Sequence, residues 1–311
     1  MPEGNLKEFT KFLDSIKAIS HDEFESVLHY FPKKFQKEQT KGQFFMMQCT
    51  AEEIRENDFV EFITDRIIQY VLKRKEYLLE GLSPEDRAAK MRPLLLKAKR
   101  KFMTKNKKTG EGGELILFLI LESNGIIQLL NKMNLKTNQE MPIHGLDAIH
   151  IQVDNDIIFH YGESKMYADF NEAVKKALND IKKFGGEKEK LELDLVSSYI
   201  DDSKFDSFTN EIVDLISPYS KSKNKENVRK TNSIFIGHDW KGFKLPYSNG
   251  EIKLADFLKT NYQKLHEQLF PKVTSLVSSE IGDNTKTFNF YIMPFRDVGE
   301  FRNKFREELK K

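Results

Sequence analysis

The chain has 311 residues and a net charge of +2, with 39% hydrophobic and 32% charged side chains. A chain of this length and composition can bury a large core, which excludes a wholly disordered protein. The single cysteine, Cys49, excludes an internal disulfide, and no apolar run approaches the roughly 18–20 residues that a membrane-spanning helix needs. The N-terminus lacks the basic-then-apolar pattern of a signal peptide. We therefore expect a cytoplasmic protein without a membrane partner.

Residues 1–108 are predicted to form a mainly helical N-terminal region. Apolar side chains recur at helical spacing from Asp58 to Leu79, and Gly81 is expected to end this helix. Ser83 followed by Pro84 is typical of the start of the next helix. The short apolar segment Gln43–Cys49 is compatible with a strand.

A domain boundary is predicted after Lys108. The twelve residues from Lys97 to Lys108 include seven basic side chains and no acid, and a glycine-rich turn follows at residues 109–114. Residues 109–311 are predicted to form a second domain.

The second domain alternates predicted strands and helices. The apolar run Leu115–Leu121 fits either state, because periodicity does not separate a buried strand from a buried helix. Strands are predicted at Asp147–Val153 and Ile157–Tyr161, joined by a turn, and a helix capped by Asp169 is predicted to end at Phe184. These elements predict a mixed α/β fold, also classed as α+β. Later predicted elements are a largely helical segment at Leu191–Ile216, strands at Ser233–His238 and Thr287–Met293, and a helix at Val298–Leu309.

Charged side chains collect around the predicted hairpin. Glu163 and Lys165 are two residues apart, so on a strand both point to one face, and Asp147 on the partner strand can reach that face. Carboxylate oxygens are the ligands that Mg²⁺ prefers. A neighbouring lysine can stabilise the negative charge that develops on a phosphodiester during its hydrolysis. The simpler alternative is a solvated Glu–Lys pair at a strand end. The same acid-x-Lys pattern occurs elsewhere, notably at Asp180 in a predicted helix and at Asp239 after a predicted strand.

Three segments together resemble the PD-(D/E)xK nuclease superfamily and, within it, the HamA family of the Hachiman anti-phage defence system. These are Gly110–Glu114 before the apolar run, Gly145–His150, and Gly162–Lys165 before a helix. The similarity is strongest from Gly110 to Phe184 and implies a restriction-endonuclease-like core, with a central mixed sheet flanked by helices. Leu146 stands where the superfamily pattern has proline.

The resemblance implies roles for particular residues. Asp147 and Glu163 would bind Mg²⁺, with Mn²⁺ as a substitute, and Lys165 would be the catalytic lysine. Glu114 would be a third metal ligand and catalytic acid, with Glu111 as its rival. The same resemblance implies that Leu115–Leu121 is helical.

The resemblance also implies a partner and an activity. The expected function is DNA endonuclease activity under the control of a HamB-like superfamily 2 helicase, and the sequence itself contains no GxxxxGK[ST] phosphate loop. The alternative is a non-catalytic subunit that binds DNA or regulates the helicase through a vestigial nuclease fold.

Basic residues before the predicted boundary are candidate contacts for a DNA backbone, with a solvated linker as the alternative. His144 and His150 flank Asp147 and are interpreted as structural or close to DNA, because the sequence lacks the spacing of a zinc site. The candidate DNA contacts are Lys97, Lys99, Arg100, Lys101, Lys105, Lys107 and Lys108.

Overall fold

Strands from both ends of the chain form one mixed sheet. The computed structural model describes residues 3–102, 110–129, 146–154, 156–200, 202–205, 208–217, 228–245, 247, 253–282 and 285–311. The strands are β1 (Leu28–Tyr30), β2 (Phe35–Lys37), β3 (Thr40–Met47), β4 (Ile127–Gln128), β5 (Ala148–Val153), β6 (Ile157–Tyr167), β7 (Val228–Asp239) and β8 (Phe288–Phe295).

The strand order is β1-β3-β8-β7-β6-β5-β4, and β2 also pairs with β3. Neighbours from β4 to β6 are antiparallel, whereas β6, β7, β8 and β3 run parallel to one another. Parallel neighbours need long crossover connections, which here contain helices. The expected mixed sheet flanked by helices is therefore confirmed.

Helices cover both faces of the sheet. None of them, in the described part of the chain, has the length and apolar character needed to cross a membrane. A 3-10 helix follows β7 at Lys241–Lys244. The α-helices are α1 (Glu3–Ile16), α2 (His21–Glu25), α3 (Glu56–Asp65), α4 (Ile67–Val71), α5 (Arg74–Tyr77), α6 (Pro84–Phe102), α7 (Glu111–Ser123), α8 (Phe170–Lys183), α9 (Glu187–Tyr199), α10 (Asp202–Phe205), α11 (Thr209–Ile216), α12 (Leu254–Glu280) and α13 (Val298–Lys310).

Strand β7 shows how the two helical layers divide the core. Phe235 packs in the cluster that contains α7 and α13, whereas Ile234 and Ile236 pack in the cluster that contains α8 and α12. Because successive side chains of a strand point to opposite faces, both faces of the sheet are buried. The run Leu115–Leu121 lies wholly in the first cluster, which confirms the helix implied by the family resemblance.

The N-terminal region departs from the predicted pattern. The single helix predicted from Asp58 to Leu79 is wrong, because α3, α4 and α5 are separate helices and Leu72 between the last two has an extended backbone. The predicted start of α6 is confirmed, since the Asp86 amide donates to the Ser83 hydroxyl at 3.1 Å. Strand β3 covers most of the apolar segment Gln43–Cys49 and pairs with β8. The central sheet thus includes strands from both sides of the boundary predicted at residue 108.

Two features of β6 and α8 place the charged residues of the hairpin. Strand β6 continues to Tyr167, so Gly162–Lys165 lie within the strand. Helix α8 then begins where predicted, because the Asp169 carboxylate accepts a hydrogen bond from the Glu172 amide at 2.7 Å. The helix therefore returns along the face of the sheet that carries Glu163 and Lys165.

Candidate active site

The β5–β6 hairpin brings Asp147, Glu163 and Lys165 together. Ala148 pairs with Gly162, so the next step of this antiparallel register sets Asp147 opposite Glu163 on one face. The Asp147 amide donates to the Gly162 carbonyl at 3.1 Å, and its carboxylate accepts from the Ser164 amide at 2.8 Å. Lys165 forms an ion pair with Glu163. The sequence prediction for these three residues therefore matches their arrangement.

Carboxyl groups outnumber cations at this cluster. The Glu163 side chain is 4% exposed, and burial, followed by the charge of Asp147, raises its pKa to about 8, although Lys165 acts in the opposite direction. For Lys165, burial lowers the pKa, but the carboxylates of Glu163 and Asp147 outweigh burial and raise it above the ordinary value. Lys165 therefore carries a proton at neutral pH, whereas the raised pKa of Glu163 favours the protonated form of this carboxyl there, because one ammonium does not keep all the neighbouring carboxyl groups ionised.

Asp180 on α8 is a further acid that the sequence did not single out as part of this site. Its Oδ2 atom lies 3.0 Å from Lys165 Nζ, and its Oδ1 atom lies 4.0 Å from Lys183 Nζ. In the sequence, Asp180 is only one of several occurrences of the acid-x-Lys pattern. The contact depends on how α8 packs on β6, so no local pattern reveals it. The Lys165 ammonium is therefore contacted by Glu163 from its own strand, β6, and by Asp180 from helix α8.

Glu114 lies on the other side of the sheet. A Cβ atom added at Gly113 would lie 2.3 Å from Ser164 Oγ, so α7 packs on the face of β6 opposite Glu163 and Lys165. The Glu114 carboxylate accepts a hydrogen bond from the Tyr70 hydroxyl at 3.3 Å. The structure therefore groups Glu114 with Tyr70, and its role as a third metal ligand remains a prediction. Glu111 begins α7, but its side chain lies outside the described part of the structure.

The donor set fits a hard divalent cation through two carboxylates. Asp147 and Glu163 supply oxygen ligands from adjacent strands, and a cation between them would relieve the repulsion that raises the Glu163 pKa. Among the described residues, only His21, Asp22 and Glu25 place three potential ligand atoms within 4.8 Å of one another. A cation at Asp147 and Glu163 would thus complete its coordination with water, as Mg²⁺ usually does.

A family model now identifies the chain. The model of the HamA family matches residues 17–309. The chain belongs to the HamA family. HamA is an anti-phage defence family, and the match extends over both the N-terminal region and the site on the hairpin. A comparison with curated proteins finds no match.

In this HamA chain, part of the basic segment before residue 108 serves the fold. Lys97 forms an ion pair with Glu76. Lys99 is buried, and its ammonium donates to the Glu308 carbonyl at 3.1 Å, so it is not displayed for a DNA backbone. Burial also lowers the pKa of Lys101, whereas Arg100 is exposed. Lys105, Lys107 and Lys108 lie outside the described residues.

The remaining sequence candidates have structural positions. The Asp239 carboxylate accepts a hydrogen bond from the Val298 amide at 2.7 Å and so fixes the start of α13. His150 is fully buried beside Phe118, which agrees with its structural interpretation, and His144 lies outside the described residues.

Proposed function

We propose that this HamA chain is a metal-dependent DNA endonuclease that acts as the effector of an anti-phage defence complex in the bacterial cytoplasm. The observation that chiefly supports this proposal is the pair of carboxyl groups, Asp147 and Glu163, at facing positions of the β5–β6 hairpin, with a protonated lysine on the same face. Ionising every carboxyl group of such a buried cluster is costly unless a cation or other positive group compensates the charge. A site of this kind therefore favours a divalent metal and, through it, an anionic substrate.

Asp147 and Glu163 would hold the Mg²⁺ ion, with Mn²⁺ as a substitute. When bound, such an ion polarises a phosphodiester and lowers the pKa of a coordinated water. Lys165 would orient the attacking water and stabilise the charge that develops on the phosphoryl oxygens. Asp180 would keep the lysine in place if Glu163 turns toward the metal, because Asp180 contacts the ammonium independently.

The helicase partner belongs to the same proposal. The sequence carries no phosphate loop, so ATP-driven control would come from a second protein such as a HamB-like superfamily 2 helicase. Membership of a defence family supports such control, because unrestrained cleavage would damage the host's own DNA. The helicase would hold the nuclease inactive until foreign DNA engages the complex.

Plasmid cleavage by the full chain tests the proposal. The E163Q/K165M variant removes the charge of the candidate pair, and E187Q/K190M is its matched control because Glu187 and Lys190 form an exposed ion pair 2.9 Å apart. Each protein is incubated with Mg²⁺, Mn²⁺ or EDTA, with and without the helicase and ATP. We expect cleavage by the wild type and by the control variant only in the presence of metal, and none by E163Q/K165M.

Two results would contradict the proposal. Metal-dependent cleavage that survives in E163Q/K165M would move the active site away from the hairpin. Absence of cleavage in every condition would instead support the alternative, a non-catalytic subunit that binds DNA or regulates the helicase.

A further inference from the structure

The edge of β6 that faces β5 extends beyond the β5–β6 hairpin. Strand β5 begins at Ala148, which pairs with Gly162, whereas β6 continues to Tyr167. Because backbone groups of alternate residues point to the same edge of a strand, those of Gly162, Ser164 and Met166 all point to this edge. In the described chain no strand pairs with the edge after Gly162. The later backbone groups therefore need other partners.

Two side chains take the positions where a longer β5 would pair. The Asp147 carboxylate accepts a hydrogen bond from the Ser164 amide at 2.8 Å, and the Arg302 guanidinium, from α13, donates to the Met166 carbonyl. Ser164 and Met166 are two residues apart, which corresponds to about 6.5 Å along a strand. The guanidinium therefore follows Asp147, a candidate metal ligand, along the same edge of β6.

Arg302 has no carboxylate partner among the described residues. Its side chain is half-buried, and the Met166 carbonyl takes only part of the hydrogen-bonding capacity of its guanidinium. Burial lowers the pKa of Arg302 below its ordinary value, and the charge of Arg306 acts in the same direction. By contrast, Lys304 on the same helix forms ion pairs with two carboxylates. A half-buried cation without such a partner is costly, which indicates a site for an anion from outside the described chain.

We propose that Arg302 binds a phosphate group of a nucleic-acid strand whose neighbouring phosphodiester lies at Asp147 and Glu163. This inference rests on the proposed function, because it takes the phosphodiester at the metal site as its reference point. A guanidinium can donate parallel hydrogen bonds to phosphate oxygens, which makes arginine well suited to this anion. A nucleic-acid strand is charged at every nucleotide, so the phosphodiester at the metal site has charged neighbours along the strand. A cation beside the site therefore matches the repeating charge of the substrate.

A purely structural role would not require an arginine at this position. An uncharged amide can also donate to a backbone carbonyl, as the Asn232 side chain does to Thr287 at 3.1 Å. The hydrogen bond to Met166 thus accounts for one donor of Arg302 but not for its charge. The R302Q variant separates the two roles, because it can keep the donor and removes the charge.

The test is fluorescence anisotropy of a short labelled DNA duplex with the full chain in EDTA, over about 50 to 200 mM salt. The variants are R302Q, which removes the charge, and R302K, which keeps it. The matched control is R296Q, because Arg296 is exposed, follows β8 directly and forms no ion pair with another described residue. Thermal unfolding of each protein checks that the substitutions leave the fold intact.

The R302Q variant is expected to bind the duplex about 10-fold more weakly than the wild type, because a charge-assisted contact is lost. Its slope of log affinity against log salt should be smaller by about 0.9, the contribution of one phosphate contact. R302K should keep most of the slope, and R296Q should match the wild type in affinity and slope. In the plasmid assay with Mg²⁺, R302Q should raise KM and leave kcat nearly unchanged, because the contact lies outside the reacting group.

Equal affinity and equal slope for the wild type and R302Q would overturn the inference, as would a wild type that binds no duplex. An equal loss of binding in R302K and R302Q would also overturn it, because the structural role would then explain Arg302. Binding in EDTA requires no cleavage. A wild type that binds DNA through Arg302 but cleaves no plasmid would therefore contradict the proposed function and not the phosphate contact.

Discussion

Glu122, paired with Lys204, and Glu163, paired with Lys165, are both buried carboxyl groups, but their surroundings differ. Glu122 accepts hydrogen bonds from the amides of Ala18 and Gln128, at 2.9 and 2.8 Å, in addition to Lys204 at 3.0 Å. Its negative charge is fully matched by donors that tie α7 to the N-terminal segment, to β4 and to α10. Such a group holds a fold together.

Glu163 has the opposite environment. One lysine serves Glu163 and Asp180 together, Asp147 lies on the facing position, and the Glu163 pKa rises to about 8. Burial and pairing are common to both lysine–carboxylate pairs, so neither property identifies a functional site. The distinguishing property is a surplus of acceptors, which favours the arrival of a cation.

The largest effect is expected from breaking the structural pair. K204M leaves Glu122 buried without its cation, and loss of one partner of a buried pair typically costs about 3–5 kcal/mol in the free energy of unfolding. Denaturant unfolding measures this loss. K190M, which breaks an exposed pair, is expected to change stability by less than about 1 kcal/mol. A small effect of K204M would mean that the two amides alone satisfy Glu122.

The second effect separates chemistry from stability. E163Q resembles the neutral carboxyl that a pKa of about 8 favours at pH 7, so we expect no loss of stability, while metal-dependent cleavage falls by at least about 100-fold because a metal ligand is lost. Cleavage rates and denaturant unfolding are measured on the same preparations. The distinction between a catalytic pair and a structural pair would be contradicted if E163Q destabilised the protein as much as K204M does and the E163Q variant still cleaved DNA normally.

Acid is expected to destabilise the fold through buried histidines. Like Glu122, these side chains have hydrogen-bond partners inside the folded protein. Burial lowers the pKa of His160 to about 3 and that of His238 to about 4, and His160 contacts Ser233 and Gln152 at 2.9 and 3.0 Å. Below about pH 6.5 the unfolded chain binds protons that the folded chain does not. The free energy of unfolding therefore decreases by about 1.4 kcal/mol for each histidine when the pH is lowered by one unit.

The unfolding free energy between pH 7.5 and 5 measures this dependence. H160Q is expected to reduce the slope of the unfolding free energy against pH by about 1.4 kcal/mol per pH unit, which is the contribution of one buried histidine. H21Q, which replaces an exposed histidine, is the matched control for the substitution. A slope that H160Q does not alter would contradict burial as its cause.

The smallest effect is expected at Asp180. Its side chain is 43% exposed, so its contact with Lys165 contributes at most about 1 kcal/mol, and D180A should lower the rate of cleavage about two- to five-fold. K183M is the control, because it removes the other neighbour of Asp180 and leaves Lys165 untouched. Loss of activity in K183M equal to that in D180A would assign the effect to the surface of α8 in general.

Local chemistry made much of the hairpin predictable. The turn between the two strands, the cap at Asp169 and the alternation of Glu163 and Lys165 are short-range signals, and each has its expected place. Helix α7 was different, because a continuous apolar run carries no period, and only the family resemblance indicated its state.

Long-range packing accounts for what the sequence did not reveal. Helix α12 was not predicted, and Pro271 in its interior argues against a helix on local grounds, yet buried residues such as Tyr262 and Val273 hold it on the sheet. The contact of Asp180 with Lys165 and the placement of Glu114 beside Tyr70 likewise depend on how helices pack. Strands β1 and β2 were missed because three residues are too few for a pattern.

The position of β8 in the sheet has a consequence for synthesis of the protein. Residues 288–295 lie between β3 and β7, so in the described sheet β1, β2 and β3 join the remaining strands through a segment far from them in the sequence. A nascent chain on the ribosome cannot close the sheet until residues 288–295 have been synthesised. Contacts between such distant segments also form slowly. A product truncated before residue 288 would therefore lack the strand that unites its two ends, and β3 would be left with an open edge.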